Sequence, residues 1–277
     1  MPSLTLSSGA RLNYAEIGSG TPLVLIHGSP GDGRAWSRVA KHLLPNTRIL
    51  IPDLPGYGES DPLARGLTRR TEAIAAAIGE LIDLCCEPAW LCGHSYGGNV
   101  ALHAALRRRE HVAGLALFEP VFMRALDLVG DRSSRVDAQA FCTTYLARVE
   151  LAEPDAIGLM IDFWSGAGSY AKMSERQKHF LNEAAAKNAE DVRASFAEVI
   201  TARQLASFDR PVIIGCGGES PPLAAKIAGA LARLLPGAEL RSLPGAAHNM
   251  LDSHPFEVAT SIDGFRELRV LAGTALG

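Results

Sequence analysis

The feature that most constrains the fold of this chain is an alternation. Short apolar runs stop at Gly, Pro or a polar pair, and stretches with helical periodicity separate them. The runs are Leu23–Ile26 before His27-Gly28, Arg48–Ile51 before Pro52-Asp53, Trp90–Cys92 before Gly93, Val112–Phe118 before Glu119-Pro120, Val212–Ile214 before Gly215, and Glu239–Leu243 before Pro244-Gly245. Runs of this length and composition predict strands buried on both faces. Helical spacing over Trp36–Leu44, Thr71–Cys86, Asn99–Arg109, Leu223–Leu235 and Pro255–Leu271 predicts the helices that join and follow them. Strand alternating with helix predicts an α/β fold: a mostly parallel sheet covered by helices on both faces. Leu4–Leu6 and Arg11–Ile17, around Ser8-Gly9, predict an antiparallel hairpin at the sheet edge.

The alternation breaks between Val121 and Ser207. Here the patterns are helical throughout, over Ala138–Val149, Pro154–Trp164, Ser174–Ala186 and Val192–Gln204. An all-helical insertion between two strands of a parallel sheet predicts a lid over the strand ends. The expected organisation is therefore a core of residues 1–120 and 207–277 with a helical lid over residues 121–206.

Composition excludes several function classes. With 47% hydrophobic and 21% charged residues the chain is globular rather than disordered. At 277 residues it can bury a core without disulfides or a metal. A net charge of −3 gives no electrostatic case for nucleic acid or an anionic membrane surface. No run approaches the ~20 apolar residues of a membrane helix. The opening Met1-Pro2-Ser3-Leu4 predicts no signal peptide. Cys85, Cys86, Cys92, Cys142 and Cys216 form no C-x-x-C pair and no cluster with His. The expectation is reduced thiols in the cytoplasm, with neither metal nor cofactor.

The strongest chemical signal is Gly93-His94-Ser95-Tyr96-Gly97, between the strand Trp90–Cys92 and the helix that follows. A turn from strand to helix within one residue forces Ser95 into a strained backbone conformation and lifts its hydroxyl above the strand end, at a helix N-terminus. A serine hydroxyl is a weak nucleophile until a base takes its proton. Of the eight histidines, His94, His103 and His111 lie in or near the elbow helix, and His42 and His179 lie in helical patterns. His254 precedes Pro255 at a helix start. His248, in the loop after the last strand, is at the sheet edge where the elbow also lies, and is the expected general base. His27 is expected to be a structural hydrogen-bonder. The loop Gly28-Ser29-Pro30-Gly31 can turn backbone inward, so the N–H groups of Ser29 and Tyr96 are the expected oxyanion donors.

Taken together, Ile26-His27-Gly28-Ser29-Pro30-Gly31, Pro52-Asp53-Leu54-Pro55-Gly56-Tyr57-Gly58-Glu59-Ser60, Gly93-His94-Ser95-Tyr96-Gly97-Gly98 and Gly245-Ala246-Ala247-His248 resemble the α/β-hydrolase superfamily, in its serine-nucleophile branch with a helical lid. The resemblance implies the α/β-hydrolase fold and a third catalytic member, a carboxylate that orients the imidazole. Many relatives carry an Asp after the strand that here reads Pro211–Gly215, where this sequence has Cys216-Gly217-Gly218-Glu219-Ser220. One branch of the haloalkane dehalogenases, similar in fold, carries the acid at the strand end occupied here by Glu119. Glu119 and Glu219 are thus alternative acids, with Glu119 preferred. The Asp nucleophile of dehalogenases and epoxide hydrolases is replaced by Ser95, so neither activity is expected.

Candidate pocket walls are Trp36, Tyr96, Phe122, Met123, Phe163, Trp164 and Met250, which suit a small, largely apolar substrate. The expected reaction is hydrolysis of an ester, lactone or thioester through an acyl-enzyme. A C–C bond hydrolase or lyase with the same residues is the alternative within this chemistry, and a ligand receptor with little turnover is the alternative outside it.

Overall fold

The computed structural model describes residues 2–64 and 66–274, with side chains to residue 267; Met1 lies outside them. The chain opens with the antiparallel pair β1 (Ser3–Thr5) and β2 (Arg11–Ile17). It continues through β3 (Thr21–Ile26), a 3₁₀ turn Gly33–Trp36, α1 (Ser37–Ala40) and β4 (Thr47–Pro52). Next come α2 (Arg70–Ile82), β5 (Ala89–His94), α3 (Tyr96–Arg107) and β6 (Val112–Phe118). Between β6 and β7 (Val212–Gly217) lie α4 (Arg124–Val129), α5 (Arg132–Glu150), α6 (Ala156–Ser165), α7 (Glu175–Phe196) and α8 (Ala202–Ala206). The chain closes with α9 (Pro222–Leu234), β8 (Glu239–Leu243), α10 (Met250–Ser253) and α11 (Pro255–Thr274).

The strands form one eight-stranded sheet in the order β1-β2-β4-β3-β5-β6-β7-β8, parallel except for the first two pairings. Chain progression reverses at β3, which lies between β4 and β5. Ligands of open α/β sheets bind at such a reversal, beyond the carboxyl ends of the strands. Register brings those ends level: His94 lies beside Phe118, and Phe118 beside Gly215.

Alternation along β3 sends Val24 and Ile26 into one apolar layer and Leu23 and Leu25 into the other. The first layer packs under α2, α3, α9 and the helices between β6 and β7; the second packs under α1, α10 and α11. With both faces covered, the central parallel strands β3, β5, β6 and β7 are buried almost throughout, as their sequence pattern predicts. The run Glu239–Leu243, expected to be buried on both faces, is instead the edge strand β8, which leaves every residue but Leu243 at least partly exposed.

Two helix expectations need correction. The helix expected over Trp36–Leu44 ends at Ala40. The N–H of Leu44 donates instead to the Asp263 side chain at 2.8 Å, and Pro45 disfavours helix at the residue before it. The helix expected over Ser174–Ala186 runs on as α7 from the Ser174–Gln177 capping box to Phe196, so the one expected over Val192–Gln204 is split between the end of α7 and α8. Lys187-Asn188-Ala189-Glu190-Asp191 contains neither Gly nor Pro, so nothing ends the helix there.

Candidate active site

Ser95 follows β5 with φ 54° and ψ −125°, a strained conformation for a residue with a Cβ. Neighbouring backbone over-determines it. Its N–H donates to Phe118 O at 2.9 Å, and its carbonyl accepts the Gly98 N–H at 2.9 Å. The tight crossing also needs Gly97, where a Cβ would stand 2.3 Å from Ile26 O. The Ser95 Oγ consequently points off the sheet edge toward the loop after β8.

His248 sits in that loop. The Nε2 of His248 is 3.0 Å from Ser95 Oγ, and its Nδ1 is 2.6 Å from Glu119 Oε2. The loop is held from below: Glu219 donates its N–H to Ala246 O at 2.9 Å, and His94 Nε2 donates to His248 O at 2.7 Å. Burial and the neighbouring His248 lower the His94 pKa to about 3, so His94 is a neutral strut. Trp164, from α6, stacks on the His248 ring with centroids 4.7 Å apart.

Glu119 also has positive φ, 44°, at the point where β6 ends. Its N–H donates to Gly215 O at 2.9 Å, which turns the side chain toward His248. The carboxylate is buried, which alone raises its pKa, but the hydrogen bond and charge of His248 and the Gly217 N–H (2.7 Å to Oε1) outweigh burial and hold it below the usual range. An ionised Glu119 accepts only, so Nδ1–H of His248 donates to it and Nε2 is free to accept the Ser95 proton. Cys216 Sγ lies 3.7 Å from Glu119 Oε1; burial and that charge push its thiol up to about 12.

The structure thus brings Ser95, His248 and Glu119 together and leaves Glu219 apart. The Glu219 side chain is exposed in a turn and makes no contact with the imidazole. His27 is a buried hydrogen-bonder: Nδ1 donates to Gly28 O at 2.7 Å and Nε2 accepts the Leu54 N–H at 2.9 Å.

A cavity of about 90 Å³ opens above Ser95, with Ser29, Tyr96, Trp164 and His248 in its wall. Val121, Met123, Met160 and Ile161 supply its apolar side. Four expected walls are corrected. Trp36 and Met250 are buried in the layer under α1 and α11, and Phe122 in the opposite layer, all at 0% exposure. Phe163 stacks on Phe141 of α5, with ring centroids 4.0 Å apart, and does not line the cavity. Apolar character alone does not separate a wall from a core position, since both exclude water.

Asn188, Asp191 and Ser195 also line the cavity, and the sequence reading missed them. Their spacing, three and then four residues along one helix, puts them on one face, but only once α7 is known to be continuous. Tyr57 joins them, donating to Asp191 Oδ2 at 2.5 Å. Among the described residues no group of three or more His, Cys, Asp or Glu could hold a metal ion, and no helix is long and apolar enough to cross a membrane.

A 115-residue stretch is 36% identical to a 2-hydroxymuconate semialdehyde hydrolase of Pseudomonas sp. (strain CF600), over 40% of this chain and 41% of that one. Lipase LipV of Mycobacterium tuberculosis (strain ATCC 25618 / H37Rv) is 40% identical over 147 residues, 52% of this chain and 53% of the lipase. The chain spans about half or less of the length of these relatives. A solved thermophilic esterase from Thermogutta terrifontis shares the fold, with TM-score 0.74 over 96% of this chain and 97% of that one, at 24% identity. The model of the alpha/beta hydrolase family matches residues 23–261, which takes in Ser95, Glu119 and His248, and the chain belongs to that family.

Proposed function

We propose that this protein is a serine hydrolase that cleaves an ester, lactone or thioester bond of a small, largely apolar substrate. The observation that carries this reading is the unbroken relay from Ser95 Oγ through His248 to a buried Glu119, with links of 3.0 and 2.6 Å. Ser95 Oγ attacks the carbonyl carbon as Nε2 of His248 takes the hydroxyl proton. Glu119 holds the imidazole in the tautomer that can do so and stabilises the imidazolium. Negative charge develops on the carbonyl oxygen, toward the N–H groups of Ser29 and Tyr96 at the start of α3. Each such donor contributes about 3–4 kcal/mol to the transition state. His248 then gives its proton to the leaving oxygen or sulfur, and an acyl-Ser95 forms. Water, deprotonated by His248, releases the acid.

In this reading the helices between β6 and β7 act as a lid, with Trp164 closing over the imidazole. The substrate is a small molecule, and the five free thiols suit a reducing compartment such as the cytoplasm. A fluorophosphonate probe, whose phosphorus bonds to the Ser95 oxygen as fluoride leaves and His248 takes the proton, should label the wild-type protein and not Ser95→Ala. A folded protein that turns over p-nitrophenyl esters yet resists labelling would sink the mechanism.

One observation favours a second reading. The similarity to a 2-hydroxymuconate semialdehyde hydrolase admits C–C bond hydrolysis by the same three residues. Product analysis on a vinylogous 1,3-diketone beside an aryl ester separates the two, because only the C–C hydrolase releases two fragments from the diketone.

A further inference from the structure

Beside the cavity runs a chain of hydrogen bonds for which the reaction above has no use. Tyr145 Oη donates to Asn188 Oδ1 at 2.7 Å, and Asn188 Nδ2 donates to Ser29 Oγ at 3.0 Å. Ser29 Oγ is 2.8 Å from Tyr57 Oη, which donates to Asp191 Oδ2. The other Asp191 oxygen accepts from Arg70 Nε at 2.6 Å. Burial first, then the Asp191 charge, pushes the Tyr57 phenol well up, so it keeps its proton.

Donor inventory fixes every direction in this chain. A carboxylate only accepts, so the one Tyr57 proton goes to Asp191. Between Ser29 and Tyr57 the Ser29 hydroxyl must therefore donate, while its oxygen accepts from Asn188. The bonds run one way and end on a carboxylate paired with a guanidinium, an arrangement in which each bond strengthens the next. Ser29 is gripped from both sides, by Tyr57 on the loop after β4 and by Asn188 on α7.

We propose that Asn188, Tyr57 and Asp191 are positioning residues that hold Ser29 so that its N–H is aimed at the developing oxyanion, making that stabilisation depend on α7 being seated against the sheet. The inference rests on the serine-hydrolase reading. It gives a side-chain handle on a backbone donor, which no substitution of Ser29 other than proline can delete.

The test uses the full-length protein, p-nitrophenyl acetate and phenylboronic acid. The boron takes up the Ser95 oxygen, whose proton passes to His248, and places a boron-bound oxygen where the oxyanion would sit. Transition-state mimics of this kind report the hole, whereas KM reports ground-state binding. In Tyr57→Phe and Asn188→Ala, kcat is expected to fall about 10- to 100-fold, short of the ~10²–10³ for outright loss of a donor. KM should move less than about threefold, with boronate Ki rising in step with the loss in kcat/KM. A folded variant whose kcat and Ki both stay within about twofold of wild type overturns the inference, as does a kcat loss with unmoved Ki. Should Asn188→Ala fail to fold, Tyr57→Phe, which removes a single oxygen atom, decides alone. A wild-type protein that neither hydrolyses the ester nor binds the boronate overturns the serine-hydrolase reading, and the inference falls with it.

Discussion

The sheet and the helices between β6 and β7 both reach the cavity, but by different means. At the sheet edge, main-chain hydrogen bonds set where the groups stand. Ser95 hangs from Phe118, Glu119 from Gly215, and the Glu119 carboxylate is fixed by the Gly217 N–H. From the helices, only side chains reach in: Trp164 stacked on His248, Asn188 on Ser29, Asp191 on Tyr57. Chemistry that fails with an error of about 1 Å thus rests on the stiffest part of the molecule. The part that shapes the cavity can change by substitution without disturbing strand register.

The largest expected break between the two regions is Ser95→Ala. It should lower kcat by about 10⁴–10⁶-fold with little change in melting temperature, as measured by ester turnover and thermal denaturation. Glu119→Gln should follow at about 10³–10⁴-fold, because the amide permits the wrong imidazole tautomer. Glu219→Gln, assayed beside it, should leave turnover unchanged, and equal losses in the two would refute the assignment of the acid.

A pair of tryptophans separates core from wall. Trp36→Ala should lose about 3–5 kcal/mol in urea unfolding, since it empties a fully buried site. Trp164→Ala should shift KM and acyl-chain preference more than stability. If Trp36→Ala altered acyl preference in folded protein, the corrected placement of that residue would fail.

A smaller effect is expected with pH. Burial lowers the pKa of His27 and of His94, the latter to about 3, from a value of 6.5 in the unfolded chain. Below that value the unfolded chain binds protons that the folded one refuses. Their stability contribution is therefore complete above about pH 6.5 and declines as pH falls below it, for His94 down to about 3, by at most about 1.4 kcal/mol per unit for each histidine. Unfolding midpoints between pH 7.5 and 4.5 should show this slope, and His94→Asn should make it shallower. A steeper slope in the variant would contradict a neutral His94.

Legibility in the sequence differed between the same two regions. Central strands of the sheet were readable because burial on both faces leaves a continuous apolar run, and Ser95 and His248 because each follows a strand or its turn. Glu119 and Glu219 each stand near the end of a strand in sequence, and only the resemblance to one branch of the haloalkane dehalogenases favours Glu119. Only the Glu119 N–H bond to Gly215 and its positive φ turn that side chain to the imidazole. Trp36, Phe122 and Met250 look the same in sequence as Trp164, since an apolar side chain carries no mark of which surface it meets. Tyr57 lay within a recognised loop motif, but its partner Asp191 is on a helix 134 residues away, so no local pattern could join them.

By itself, then, the sequence determined the α/β architecture, the serine on its elbow and the histidine beyond the last strand. These follow from local periodicity and from turns that glycine alone permits. Tertiary structure decided which carboxylate meets His248, the cavity wall and the grip on Ser29, because each depends on which side chains from distant segments come within reach once the helices settle on the sheet.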